Sequence, residues 1–258
     1  MNLLAVMNQK GGVGKTTIAL HVAADLARRG QDAILVDMDP QGDATRGVGL
    51  SDFYDNPETS ATLGNALVGE WSGNYNELVH IGSDNLRVIP ATMGQFLTEA
   101  RLVAIRGREG RLGAILSNLT ADWCIIDCPP SLGSLTDNAL VAAQSVLVVA
   151  QAHPTSLSAV LLLMEQVWSI NRDLNIPIEI KGLVLNQYEN SSTAQRIRAE
   201  FENLPFPLLG VVRKRVAVQE AWDGQQTLVT SNPSHHVSLA IRGIVDQLLG
   251  EETPQNAD

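Results

Sequence analysis

Cysteine is scarce: Cys124 and Cys128 are the only two in 258 residues, which rules out a disulfide framework. The opening Met1-Asn2-Leu3-Leu4-Ala5-Val6-Met7 has no basic region ahead of its apolar residues and does not read as a secretory signal. Long hydrophobic runs are missing as well. The best candidate, residues 159–164, is far too short to cross a bilayer, so the expected location is the cytoplasm. Positive charge is in deficit, with 18 Lys and Arg against 28 Asp and Glu and a formal net charge of −10. A chain that gripped nucleic acid through its overall charge would be basic, so any such contact has to come from a local patch. There is no internal repeat.

What is present is a core. Hydrophobic residues make up 45% of the chain, enough to bury a substantial interior. Apolar runs of strand length fall at 3–7, 33–36, 86–89, 123–126, 145–150, 178–185 and 208–212. Helical periodicities lie between them at 16–29, 94–103, 108–119, 133–143, 155–172, 192–203, 216–223 and 235–249. Strands buried on both faces lose polar alternation and become continuously apolar, as these do. The pattern predicts an α/β fold, a mostly parallel sheet flanked by helices on both faces. We expect one domain over 1–250, loops with a short helix near 60–68 inside 41–85, and a disordered tail at 251–258.

The first strand runs into Lys10-Gly11-Gly12-Val13-Gly14-Lys15-Thr16-Thr17. Glycines between a strand and a helix let successive backbone N–H groups point inward, where the positive end of the helix completes an anion cradle. Lys15 would reach the β- and γ-phosphates of a nucleotide, and Thr16 would place its hydroxyl on Mg²⁺. The general pattern G-x-x-x-x-G-K-[ST] is not met strictly, because its first Gly falls at Gln9. A plain glycine turn is the alternative.

Two further strands end in carboxylates. The run 33–36 leads into Asp37-Met38-Asp39-Pro40-Gln41-Gly42, whose residue types also suit a capped turn. Trp123-Cys124-Ile125-Ile126-Asp127 has the Walker B form, apolar residues and then an Asp that holds Mg²⁺, often through water. Cys124 and Cys128 lack paired ligands elsewhere and read as core thiols. His235 and His236 lack a spaced partner and are expected on a helix surface.

The Lys-Gly-Gly-x-Gly-Lys-Thr string resembles the deviant Walker motif of the ParA/MinD family of P-loop ATPases. The Asp-x-Asp-Pro-Gln-Gly and Asp-Cys-Pro-Pro-Ser-Leu-Gly strings resemble it too, with Asp43 where Asn is usual. The likeness runs in order along nearly the whole chain. It implies an ATPase that is slow alone and stimulated by DNA and a partner protein, with ATP and Mg²⁺ as cofactors. It also implies that Lys10 reaches the nucleotide of a second subunit in an ATP-held homodimer, that Asp39 positions the attacking water, and that Asp37 supports the metal shell. Asn186, at a later strand end, is implied to hydrogen-bond the adenine edge; a loop-capping Asn is the alternative.

Members of that family bind either DNA or membrane. A membrane-targeting helix is rich in Lys and Arg, whereas the terminal helix here carries Arg242 alone before Glu251 and Glu252. We expect no membrane contact. The local basic patch is Arg213-Lys214-Arg215, joined by Arg196 and Arg198 on the preceding helix and set against Glu200 and Glu202. A solvated basic face is the alternative, and Arg101, Arg106, Arg108 and Arg111 form a weaker second cluster. The resemblance then implies nonspecific, nucleoid-associated DNA binding. It further implies a separate adaptor or centromere-binding protein that stimulates turnover, and a plasmid, chromosome or protein assembly as cargo. Rival readings are a MinD-like membrane switch, an ATP-dependent synthetase and an iron–sulfur reductase relative.

Overall fold

The computed structural model describes residues 1–251. Eight strands form one sheet: β1 (Asn2–Met7), β2 (Ala33–Asp37), β3 (His80–Ile81), β4 (Arg87–Ile89), β5 (Trp123–Asp127), β6 (Ser145–Ala150), β7 (Glu179–Tyr188) and β8 (Leu208–Arg213). Their spatial order is β3-β4-β2-β5-β1-β6-β7-β8. All neighbours run parallel except β3 and β4, so the sheet is mostly parallel, as its uninterrupted apolar strands predict.

Alternate residues of each strand feed two separate cores. In β1, Ala5 and Met7 join one core while Leu4 and Val6 join the other; in β5, Cys124 and Ile126 oppose Trp123 and Ile125. Helices cover both faces. In chain order they are α1 (Lys15–Arg28), α2 (Asp43–Gly47), α3 (Ser51–Asp55), α4 (Leu63–Val68), α5 (Gln95–Leu102), α6 (Arg111–Leu116), α7 (Ser134–Ala143), α8 (Ser156–Leu174), α9 (Ser192–Glu202), α10 (Val216–Asp223), α11 (Leu228–Ser231) and α12 (His236–Leu249). Buried residues of α4, α6, α7, α8 and α9 fill the first core, and those of α1, α11 and α12 fill the second.

Local chemistry sets several boundaries. Ser191 accepts a hydrogen bond from the Ala194 N–H at the start of α9, and Thr62 does the same from Asn65 at α4. His235 caps α12 by accepting from the Val237 N–H, its ring 4.2 Å from that of His236. Buried His21 ties α1 to α11: Nδ1 donates to the Thr17 carbonyl and Nε2 accepts from the Leu228 N–H. Burial lowers its pKa and keeps it neutral.

The differences from expectation are short elements. α2 and α3 interrupt the segment expected as loop, β3 adds a two-residue edge, and 108–119 divides into a 3₁₀ turn and α6. Glu251 does not hang free, because it pairs with Arg29 at 3.2 Å. The remainder of the expected tail, 252–258, lies outside the described residues.

Candidate functional site

The carboxyl ends of the parallel strands bring the motif residues together, where ligands of such sheets bind. Between β1 and α1 the chain makes a tight loop. Asn8 Nδ2 donates to the Val149 carbonyl at 2.6 Å while its Oδ1 accepts from the Lys10 N–H at 2.9 Å, anchoring the loop to β6. Gly12 and Gly14 adopt left-handed φ of +73° and +84°, a region that costs a side-chain-bearing residue dearly. Val13 is fully buried and fixes the loop from below. Gly11 and Gly12 stay exposed, leaving the concave side to an anion at the N-terminus of α1.

Asn186 lies beneath this loop. Its Nδ2 donates to the Val13 carbonyl at 2.9 Å, and a Cβ on Gly14 would meet that nitrogen at 2.1 Å. Asn186 therefore holds the shape of the loop, which is the loop-capping role given above as the alternative to an adenine contact. Gln151 and Gln187, at the ends of β6 and β7, also escaped the sequence reading. The Gln151 amide donates to the Gly12 carbonyl at 3.2 Å and to Gln187 Oε1 at 2.6 Å. Their signal was position: Gln187 follows Asn186 on β7, and Gln151 directly follows the neighbouring β6.

Lys15 is 6% exposed and Asp127 is wholly buried. β2 and β5 pair in register Asp37 to Asp127, which sets two buried carboxyls side by side. Asp37 Oδ2 accepts from the Thr45 N–H at 2.8 Å and from its hydroxyl at 2.7 Å, and Asp37 Oδ1 accepts from the Asp39 N–H at 3.2 Å. Burial, opposed by those Thr45 bonds and assisted by Asp39, raises the Asp37 pKa to about 7. Asp127 is pushed well above the usual carboxylate range by burial and then by Asp37. The Thr16 hydroxyl and the Lys15 ammonium oppose this shift, but the hydroxyl falls short of a formed hydrogen bond. Both Asp127 oxygens are buried without a hydrogen-bond partner. Asp39 is half-buried, and burial raises its pKa while Lys15 pulls it down.

A buried carboxylate with two orphaned oxygens beside a lysine and a threonine hydroxyl fits a hydrated divalent cation. Among the described residues no group of three or more His, Cys, Asp or Glu forms a complete cage. That suits Mg²⁺, which keeps waters and takes phosphate oxygens along with one or two protein groups. Cys124 and Cys128 are free and buried, and burial pushes Cys124 up to about 12, so they are the core thiols expected.

Beside the loop opens a cavity of about 710 Å³. Thr17, Asn186 and Gln187 line its inner side, Val212 and Ile241 supply apolar wall, and Arg213-Lys214-Arg215 form its outer rim. A larger depression of about 1160 Å³ lies at the opposite, amino-terminal ends of the central strands, around Met1, Gln31 and Gly250, and contains none of the candidate site residues.

The five cations of the expected patch are not equivalent. Arg196 pairs with Glu200 at 2.7 Å and Arg198 with Glu202 at 2.8 Å along α9, and Lys214 pairs with Glu189 at 3.1 Å. Among the described residues Arg213 and Arg215 carry no ion pair, and the three residues 213–215 are exposed. In the second arginine cluster, Arg101 pairs with Glu70 and Arg108 with Glu109. Lys10 folds back within its own chain, Nζ donating to Thr155 Oγ1 at 3.2 Å.

Comparison with known proteins agrees with this geometry. The AAA domain family model matches residues 1–180. A chromosome partitioning protein ParA from Myxococcus xanthus is 36% identical over 226 residues, 84% of this chain and 77% of the relative. The sporulation initiation inhibitor protein Soj of Bacillus subtilis is 37% identical over 190 residues, 72% of this chain and 73% of the relative. Among solved structures, a cobyrinic acid a,c-diamide synthase from Mycobacterium smegmatis with bound ADP and magnesium superposes with a TM-score of 0.79. It is 26% identical, with 100% of both chains covered.

Proposed function

Because the chain belongs to the ParA/MinD family of P-loop ATPases, we propose that it is an ATP-driven dimerising switch that binds DNA nonspecifically to segregate or position cargo. In this reading the loop from Lys10 to Thr17 holds the phosphates, and the cavity of about 710 Å³ takes the nucleoside. That volume is typical of small-molecule sites. Asn186, already bonded to the loop, faces the base. Thr16 and Asp127 would hold Mg²⁺, with Asp37 behind them. When bound, the metal neutralises charge building on the β- and γ-phosphate oxygens.

Asp39 orients a water for in-line attack on the γ-phosphorus. The new P–O bond forms as the bond to the β–γ bridging oxygen breaks, and Lys15 takes up charge on the leaving ADP. Lys10 swings from Thr155 to the nucleotide of a second copy, so that ATP favours the dimer and hydrolysis releases it. An adaptor or centromere-binding protein, encoded separately, would set the turnover rate. The nucleoid is the expected site of action.

One observation carries the DNA half of this reading: Arg213 and Arg215, without an ion pair among the described residues, line the cavity assigned to the nucleotide, where nucleotide can bias their position. The test replaces both with Ala and measures duplex DNA binding with a non-hydrolysable ATP analogue across a salt series. Each lost phosphate contact lowers the slope of log K against log salt by about 0.9. Labelled-nucleotide binding is measured in parallel, since the same residues line the cavity. Unchanged DNA affinity and slope would refute the assignment.

The membrane alternative draws no support from α12. That helix spends Val237, Ile241, Ile244 and Val245 on the core, and no helix among the described residues is long and apolar enough to cross a bilayer. The full-length likeness to a diamide synthase favours a second reading, an ATP-dependent synthetase. Turnover would then require a small acceptor molecule, whereas a partition switch hydrolyses ATP without one.

A further inference from the structure

α10 bridges two parts of the site that are far apart in sequence. At its amino end only Lys214 and Arg215 separate it from β8, so the basic segment and the helix move together. At its carboxyl end the Trp222 indole rests on Gly47. A Cβ added there would lie 2.5 Å from Trp222 Cζ3. Gly47 sits inside helix α2, so glycine serves here to admit the indole rather than to reach an unusual φ. Two residues earlier in α2, Thr45 gives both its N–H and its hydroxyl to Asp37 Oδ2.

The helix between these contacts is held on one side. Ala217, Val218, Ala221 and Trp222 pack half-buried against the second core, while none of its eight side chains is fully buried. A cavity of about 60 Å³ lies beneath it, bounded by Thr17, His21, Gly47 and Trp222. Elements with little buried surface shift at small free-energy cost, unlike a close-packed core.

We propose that Trp222 is a positioning residue that relays anion loading of Arg213 and Arg215 to the Asp37 carboxylate, through α10, Gly47 and Thr45. The relay rests on the DNA-binding reading above. A phosphate backbone held by the two arginines draws the amino end of α10 outward. The indole then bears differently on Gly47, α2 shifts, and Thr45 changes its hold on Asp37 beside Asp127. DNA thereby alters the rate of the chemical step without touching the nucleotide. A ligand can do this only if it binds the two positions of α10 unequally, and the exposed arginines at its amino end supply that difference.

The test uses the full chain and duplex DNA of random sequence. ATP turnover is measured with and without saturating DNA, and DNA affinity is measured separately with a non-hydrolysable ATP analogue. In the wild type DNA is expected to change kcat by about fivefold or more, a barrier change of about 1 kcal/mol. Trp222→Ala retains DNA affinity within about twofold, as expected for sites without shared contacts. It loses the change in kcat relative to its own DNA-free rate, with KM for ATP little altered. Trp222→Phe restores the response, and Gly47→Ala, which crowds the indole, diminishes it. A Trp222→Ala protein that responds to DNA as fully as the wild type overturns the relay. So does a wild type that binds DNA without any change in turnover, and that result leaves the DNA-binding reading standing. A wild type that binds no DNA removes both, and the separate affinity measurement tells the two failures apart.

Discussion

Raising the pH is expected to loosen the nucleotide-free protein, because the folded state stores protons on buried carboxyls. Asp37 has an ordinary pKa of 3.8 in the unfolded chain and about 7 in the fold, chiefly through burial. A carboxyl whose folded pKa lies above its unfolded one binds its proton more tightly in the native state. Its stabilising contribution is therefore complete below about pH 4 and is lost as the pH rises through about 7. A shift of about three units at about 1.36 kcal/mol each amounts to about 4 kcal/mol. Asp127 shifts in the same direction, and its two oxygens have no partners to lose. Asp127→Asn removes a carboxyl whose two oxygens lie buried without a partner among the described residues, an arrangement that costs about 1–3 kcal/mol. In a chain of this size each kcal/mol moves Tm by about 2–4 °C.

The assay is calorimetric melting of wild type and Asp127→Asn at about pH 5 and about pH 8, each with and without Mg²⁺ and a non-hydrolysable ATP analogue. Without nucleotide, the variant is expected to melt about 2–12 °C above wild type at the higher pH, and wild type is expected to lose stability between the two pH values as Asp37 ionises. With Mg²⁺–nucleotide the order reverses, because a bound cation stabilises the ionised wild-type carboxylate and leaves the variant little to gain. A nucleotide-free variant that melts below wild type at about pH 8 would refute the reasoning, since Asp127 would then be making contacts that stabilise the fold.

Gly14→Ala places a Cβ at left-handed φ and against Asn186, so titration calorimetry is expected to detect no nucleotide binding while the sheet still folds by circular dichroism. Asn186→Ala removes the hydrogen bond to Val13, a change of about 0.5–1.5 kcal/mol, and weakens nucleotide binding by about two- to tenfold. Lys10→Ala loses only the bond to Thr155 within its own chain. It is expected to leave nucleotide affinity near wild type but to abolish ATP-dependent dimers in light scattering. A Lys10→Ala protein that still dimerises normally removes the bridging role.

How legible these features were in the sequence depended on how local their causes are. The seven longer strands announced themselves because burial on both faces makes a run such as Val146-Leu147-Val148-Val149 uniformly apolar. β3 did not: two residues, His80 and Ile81, held at an edge by antiparallel pairing to β4, carry no period to detect. The phosphate loop was readable because left-handed glycines and a helix N-terminus are specified within eight residues. Thr45, Gln151 and Gln187 were missed since their roles depend on which strand ends lie adjacent, a matter of sheet order. The pairing of Arg196 and Arg198 was recoverable, because Glu200 and Glu202 follow each by four residues on one helix. The contact of Trp222 with Gly47 was beyond reach, since the two stand 175 positions apart and only the packing of α10 joins them.

Cys124 and Cys128 flank the metal-facing end of β5, and Cys124 stands in register with Leu3 on one side and Ile34 on the other. Only a thiolate attacks a maleimide, and burial in the first core shields both sulfurs and pushes their pKa values up. The two thiols are therefore a clock built into the middle of the sheet. The rate at which they are alkylated under native conditions counts the openings of the core over β5. Because Asp127 lies between the two cysteines, any ligand that clamps that carboxylate slows the clock, whatever happens at the surface.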